Sequence, residues 1–186
     1  MRNIFMPYIT YSKYIYKFVV TQITMSVFGL IVSLATSMTY NPTVMKIGIM
    51  FSVGFFVFLL YDTMYIHGLD DSVKRTKEGQ KTNKLEGLKI ALLSYAPTIL
   101  IVLLFEFFFI FGLGDANAII TIILMIIHGT YSGFWFLISN EIYKPLIPVL
   151  TLLPGIIACT LGYYLGLKEL PIRKILGIPI KPPKNK

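Results

Sequence analysis

The chain has 186 residues, of which 55% are hydrophobic and only 14% charged. A soluble domain ordinarily carries about 25% charged residues, so this chain lacks the polar surface to dissolve and reads as an all-α membrane helix bundle. Its formal net charge of +8 does not argue for nucleic acid, because Lys and Arg beside membrane spans orient them and meet anionic lipid heads.

The N-terminal stretch "NIFMPYITYSKYIYKF" holds four Tyr and two Phe among polar residues, a composition suited to the membrane interface. Five apolar runs follow, at about 18–38, 46–66, 89–112, 118–139 and 146–166. Each has roughly 20 residues, enough at 1.5 Å per residue to cross a hydrocarbon core of about 30 Å. Backbone groups in lipid must satisfy one another, so all five are expected to be helices. Ser33-Leu34-Ala35 loosely resembles a signal cleavage site, but the run is long for a signal segment, and an uncleaved first helix is expected.

Lys and Arg counts set the orientation. Arg2, Lys13 and Lys17 precede the first run, six basic residues lie in 67–89, and the short connections at 39–45 and 113–117 hold none. This predicts a cytoplasmic N-terminus and a cytoplasmic loop at 67–88. The tail, 167–186, is basic and holds four prolines, so it is read as extended. Five full crossings would export it despite its charge. A break at "HGTYSG" in the fourth run would instead return it to the cytoplasm. Five crossings are the favoured expectation, with residues 1–166 as one membrane domain.

Small and polar residues, rather than apolar ones, mark helix contacts in lipid. Gln22, Ser26, Gly29, Ser33 and Thr36 recur at spacings of 4, 3, 4 and 3, which places them on one face of the first span. Gly48 and Ser52 with Asp62, Ala91, Tyr95 and Thr98 with Glu106, Thr121, His128 and Ser132, and Ala158, Gly162 and Gly166 form similar stripes. The plainer reading of these stripes is packing. The functional reading is that several of them converge on a polar cavity.

Glu106 is the lone carboxylate in "ILIVLLFEFFFIFG". It is placed about 9 Å inside the outer boundary, and His128 about 15 Å inside on the next span. Side chains can bridge that difference, so the two are expected to meet. An ionisable group inside a membrane is a functional candidate by default. Asp62 is a third candidate binding residue. In the loop, Asp70, Asp71, Lys74, Arg75 and Lys77 are expected to contact a protein partner or lipid heads. His67 with Asp70 and Asp71 is a poor metal signature, because adjacent side chains diverge, and no metal or cofactor is expected.

No phosphate-binding GxxxxGK[ST] loop, HExxH zinc helix or GxSxG elbow occurs, and Cys159 is the single cysteine. The leading expectation is a non-enzymatic membrane protein, a transporter component or membrane-assembly partner using its basic loop. The alternative is a small proton- or cation-linked transporter with an intramembrane Glu106/His128 site. A further one is an intramembrane enzyme acting on lipid or peptide. High Ile, Lys, Tyr and Phe usage fits a bacterial plasma membrane.

Overall fold

In the computed structural model, residues 6–79, 83–137 and 145–170 are described. They form α1 (Met6–Ser37), α2 (Pro42–Glu78), α3 (Glu86–Ile110), α4 (Gly114–Ile127), a single 3₁₀ turn (Gly129–Tyr131), α5 (Ser132–Leu137) and α6 (Leu146–Leu167). The all-α expectation holds, as a bundle of four long apolar helices with a shorter fifth segment. The four lie in Ser12–Ser37, Pro42–Lys74, Glu86–Ile110 and Leu146–Leu167, each long and apolar enough to cross a membrane. The protein is an integral membrane protein on that ground. Leu103, Met50, Ile31 and Ile122 are exposed on the bundle's exterior, as lipid contact requires.

The expected loop at 67–88 needs correction. The helix that crosses the membrane continues through Glu78, so most of this segment is helical. No Pro or Gly interrupts residues 69–78, and Lys74 pairs with Asp71 one turn back at 3.4 Å. Gly79, at φ +64°, follows directly and takes the left-handed conformation that commonly ends a helix. Pro97 and Pro154 lie inside α3 and α6 without ending either helix.

Glycines set the helix contacts. A Cβ on Gly162 would stand 2.5 Å from the Tyr61 carbonyl oxygen, and one on Gly166 would stand 2.3 Å from that of Tyr65. One on Gly68 would stand 2.3 Å from the Tyr163 carbonyl oxygen. Residue numbers rise together along this seam, so α2 and α6 run parallel with their backbones nearly touching. The predicted Ala158–Gly162–Gly166 stripe is thus an intrachain packing face. α3 runs antiparallel to both, with Gly87 against Tyr163 and Tyr95 against Gly155.

The fourth apolar run does not continue as one helix. Ile127 and Gly129 meet Ser26 of α1, Thr130 meets Gly29, and Ser132 and Gly133 meet Ser33. The chain therefore descends along α4 to the middle of α1, turns at 128–131, and climbs back along α1 through α5. The break falls at "HGTYSG". Gly129, Thr130 and Tyr131 are buried, and buried sites are where irregular backbone is tolerated in a membrane. Because α4 and α5 form a hairpin, α6 starts at the end of the bundle where α3 finishes. It ends beside the close of α2, where Ser72 Oγ donates to Glu169 Oε1 at 2.8 Å.

Candidate functional site

Among the described residues, two polar groupings stand out. The first surrounds the hairpin tip. His128 caps α4 with φ −95° and ψ 32°, and its ring is 7% exposed. Its Nδ1 lies 3.0 Å from Thr151 Oγ1, which is also 2.7 Å from the Pro148 carbonyl. A hydroxyl has one proton to give. If Thr151 gives it to the carbonyl, His128 Nδ1–H donates to Thr151 and Nε2 is the unprotonated nitrogen.

The tip is stitched to α1. Ser26 Oγ donates to the Ile127 carbonyl. Ser132 Oγ lies 2.7 Å from the Gly129 carbonyl and 2.9 Å from Ser33 Oγ. Donating to the carbonyl, it accepts from Ser33. These hydroxyls bind carbonyl groups at the break, and the Gly129 carbonyl also accepts from the Ser132 backbone N–H.

Between the tip and its neighbours is a cavity of about 20 Å³, enough for one water molecule. Gln22, Ser26, Tyr95, Thr98, His128 and Tyr131 are among its lining residues. Tyr131 OH is buried there and makes no hydrogen bond among the described residues, and Gln22 Nε2 is buried beside the Tyr95 hydroxyl. Such groups cost about 1–3 kcal/mol each when left unpaired in an apolar interior, a cost that a water molecule in the cavity would offset.

Glu106 stands apart from this cavity. It is half-buried on α3, its Oε1 is enclosed without a hydrogen bond among the described residues, and no hydrogen bond or ion pair joins it to His128. The expectation that the two meet assumed two straight helices. In the structure α4 ends at Ile127 and the His128 ring turns toward α6. Phe107 and Phe111 around Glu106 are exposed, whereas Phe105 is in the core. Asp62 lies on the exposed side of α2, away from the cavity lining.

The second grouping is at the basic end. His67 and Asp71 are one helical turn apart on α2, and Glu86 is the first residue of α3. His67 Nε2 lies 3.7 Å from Asp71 Oδ2 and 3.7 Å from Glu86 Oε1. Tyr163 OH lies 3.0 Å from Asp71 Oδ2 and 3.4 Å from Glu86 Oε2. The Tyr14 ring covers His67 at a centroid distance of 3.9 Å, and its hydroxyl donates to Asp70 at 3.4 Å. Lys74 and Lys77 are exposed nearby, and Arg75 belongs to the same turn of α2.

Of the sequence candidates, Asp70, Asp71 and Lys74 thus gather at this end with His67, while His128 belongs to the tip. Glu86, Tyr163 and Tyr14 were not candidates, and neither were Tyr131 and Thr151. Glu86 reads in sequence as one more charge in a mixed loop, and no local signal distinguishes it. Gln22 and Ser26 were legible through their shared helix face. Comparison with protein-family models, curated proteins and solved structures finds no match to this chain.

Proposed function

We propose that this chain is a small proton- or cation-linked membrane transport protein, non-enzymatic, with its path at the tip of the α4–α5 hairpin. The observation that carries this reading is a helix broken at mid-bundle depth around a buried polar cavity. Broken helices place backbone and side-chain dipoles where an ion or proton must shed its water, and nothing about lipid-facing packing calls for one. Gln22, Tyr95, His128 and Tyr131 supply neutral donors and acceptors. The His128 ring can both accept and release a proton. Glu106 and Asp62 take no direct part in this version of the path.

The orientation follows from charge. The parallel course of α2 and α6 brings Lys74, Lys77, Lys84, Lys89 and Lys168 to the end that also holds Lys13 and Lys17. By the positive-inside bias that end is cytoplasmic, with the start of α1 and the end of α6 there, and anionic lipid heads are its first partners. The same basic end suits the docking of a membrane-complex partner on Asp70, Lys74, Arg75 and Lys77. The composition favours a bacterial plasma membrane.

The test is proton flux into liposomes that hold the purified chain and a trapped pH-sensitive dye, driven by a potassium diffusion potential. Flux well above that of protein-free liposomes is expected, with at least a tenfold loss in His128→Ala and in Gln22→Leu. Flux equal to that of empty liposomes contradicts the reading.

A further inference from the structure

We infer that His67, Asp71 and Glu86 form a binding site for a divalent transition-metal ion of the zinc class, at the basic end where α2, α3 and α6 meet. This site is independent of the hairpin tip and of the transport reading. Its three ligand atoms lie within 4.8 Å of one another. His67 Nε2 sits 3.7 Å from one oxygen of each carboxylate. A tetrahedral zinc site with bonds of about 2.0–2.2 Å spaces neighbouring ligands about 3.3–3.6 Å apart. The two His67 distances therefore need to shorten by only a few tenths of an ångström.

The histidine is the independent sign of a ligand. It is 1% exposed, and neither ring nitrogen makes a hydrogen bond among the described residues. A buried imidazole with no hydrogen-bond partner is costly, yet Nε2 is aimed between two carboxylates. A cation held between the three would satisfy the nitrogen and be balanced by the two carboxylates. The spacing of His67 and Asp71 at i and i+4 puts both on one helix face, the geometry by which helices present paired metal ligands.

The surroundings hold the ligands in place. Tyr163 OH donates its one proton to Asp71 Oδ2 at 3.0 Å and lies 3.4 Å from Glu86 Oε2, a support of the kind that orients metal carboxylates. Lys74 takes the other oxygen of Asp71 at 3.4 Å, leaving Oδ2 for the His67 side. Gly68 and Gly87 let the Tyr163 backbone and Cβ approach, since a Cβ on either would stand within 2.6 Å of them. Tyr14 closes the outer face of the His67 ring. The two carboxylates are 13% and 16% exposed, so an ion can enter from water. One imidazole with two carboxylates suits zinc over magnesium, and zinc outranks manganese at such mixed sites.

The experiment is calorimetric titration of the tag-free, detergent-solubilised full chain with zinc, manganese and magnesium chlorides. One equivalent of zinc is expected, at least tenfold tighter than manganese, with no magnesium binding. Asp71→Asn and Glu86→Gln should each weaken zinc at least tenfold, and Tyr163→Phe about tenfold. Cobalt added to the wild-type chain, which needs no variant to fold, should give visible d–d bands without thiolate charge transfer, since Cys159 is outside the ligand set. The assignment is overturned by any of three results. These are absence of zinc and cobalt binding to the folded chain, undiminished zinc binding in a folded His67→Gln/Asp71→Asn/Glu86→Gln variant, or magnesium or manganese binding tighter than zinc.

Discussion

Gly29 of α1 and Thr130 at the hairpin tip touch backbone to backbone: a Cβ on Gly29 would stand 2.3 Å from the Thr130 Cα. Gly129 makes the reciprocal approach, its hypothetical Cβ 2.0 Å from the Ser26 carbonyl oxygen. The hairpin is therefore seated by the absence of side chains, with Ser26 and Ser33 bonding to it on either side.

Gly29→Val should unseat the tip and lower stability by about 1–3 kcal/mol, the usual cost of forcing bulk into a close-packed contact. Gly54→Val is the control. Gly54 also lies inside a helix, but a Cβ there meets nothing within 4 Å. Thermal unfolding in detergent should shift clearly for the first and by little for the second. Equal shifts would mean that the tip does not rest on Gly29.

The α2–α6 seam makes a parallel case. Gly162→Leu must push α6 away from the Tyr61 carbonyl, and the Met64 side chain is also in the way at 3.2 Å. A loss of roughly 1–3 kcal/mol or more is expected, together with disturbance of Tyr163 one residue on. Unfolding monitored by tyrosine fluorescence should report both. An unaltered midpoint would argue against the close parallel crossing.

Thr151→Val keeps the shape of the side chain and removes the hydroxyl next to His128 Nδ1. A buried ring nitrogen then loses its partner, at a cost of about 1–3 kcal/mol. In the liposome assay the same variant should alter proton flux, because Thr151 fixes which His128 nitrogen carries the proton. Unchanged stability together with unchanged flux would show that this hydrogen bond does not hold the ring.

Much of the bundle can be read from residue spacing. Gln22, Ser26, Gly29 and Ser33 of that α1 face meet the hairpin or its cavity, while Thr36 packs on Gly48 of α2, and "HGTYSG" is where the fourth run breaks. The long apolar runs are helices because lipid allows little else. What spacing could not give is direction after the break. An apolar run of some twenty residues looks the same whether it crosses or folds back, so five crossings were a reasonable expectation from length. The hairpin instead depends on the Gly29–Thr130 and Ser33–Ser132 contacts between distant segments.

The same limit applies to the sites. Glu106 is conspicuous in sequence because its neighbours are apolar, yet His128 ends a helix and turns to Thr151. Glu86 is inconspicuous among the charges of 67–89, yet the packing of α3 on α2 and α6 carries it to His67. The extension of α2 to Glu78 was hidden because polar residues beyond a membrane span look alike in loop and helix. Once helical, His67 and Asp71 share a face, which the loop reading could not provide.

The folded-back fourth segment underlies the orientation, the path and the placing of Lys168 at the same end as Lys74 and Lys77. Single cysteines at Thr76, Asp115 and Lys168, in a Cys159→Ala background, test it directly when labelled with a membrane-impermeant maleimide in sealed, right-side-out vesicles. The account predicts that Thr76→Cys and Lys168→Cys label together only after the vesicles are opened, while Asp115→Cys labels from outside. Labelling of Lys168→Cys from outside, on the side opposite Thr76→Cys, would contradict it.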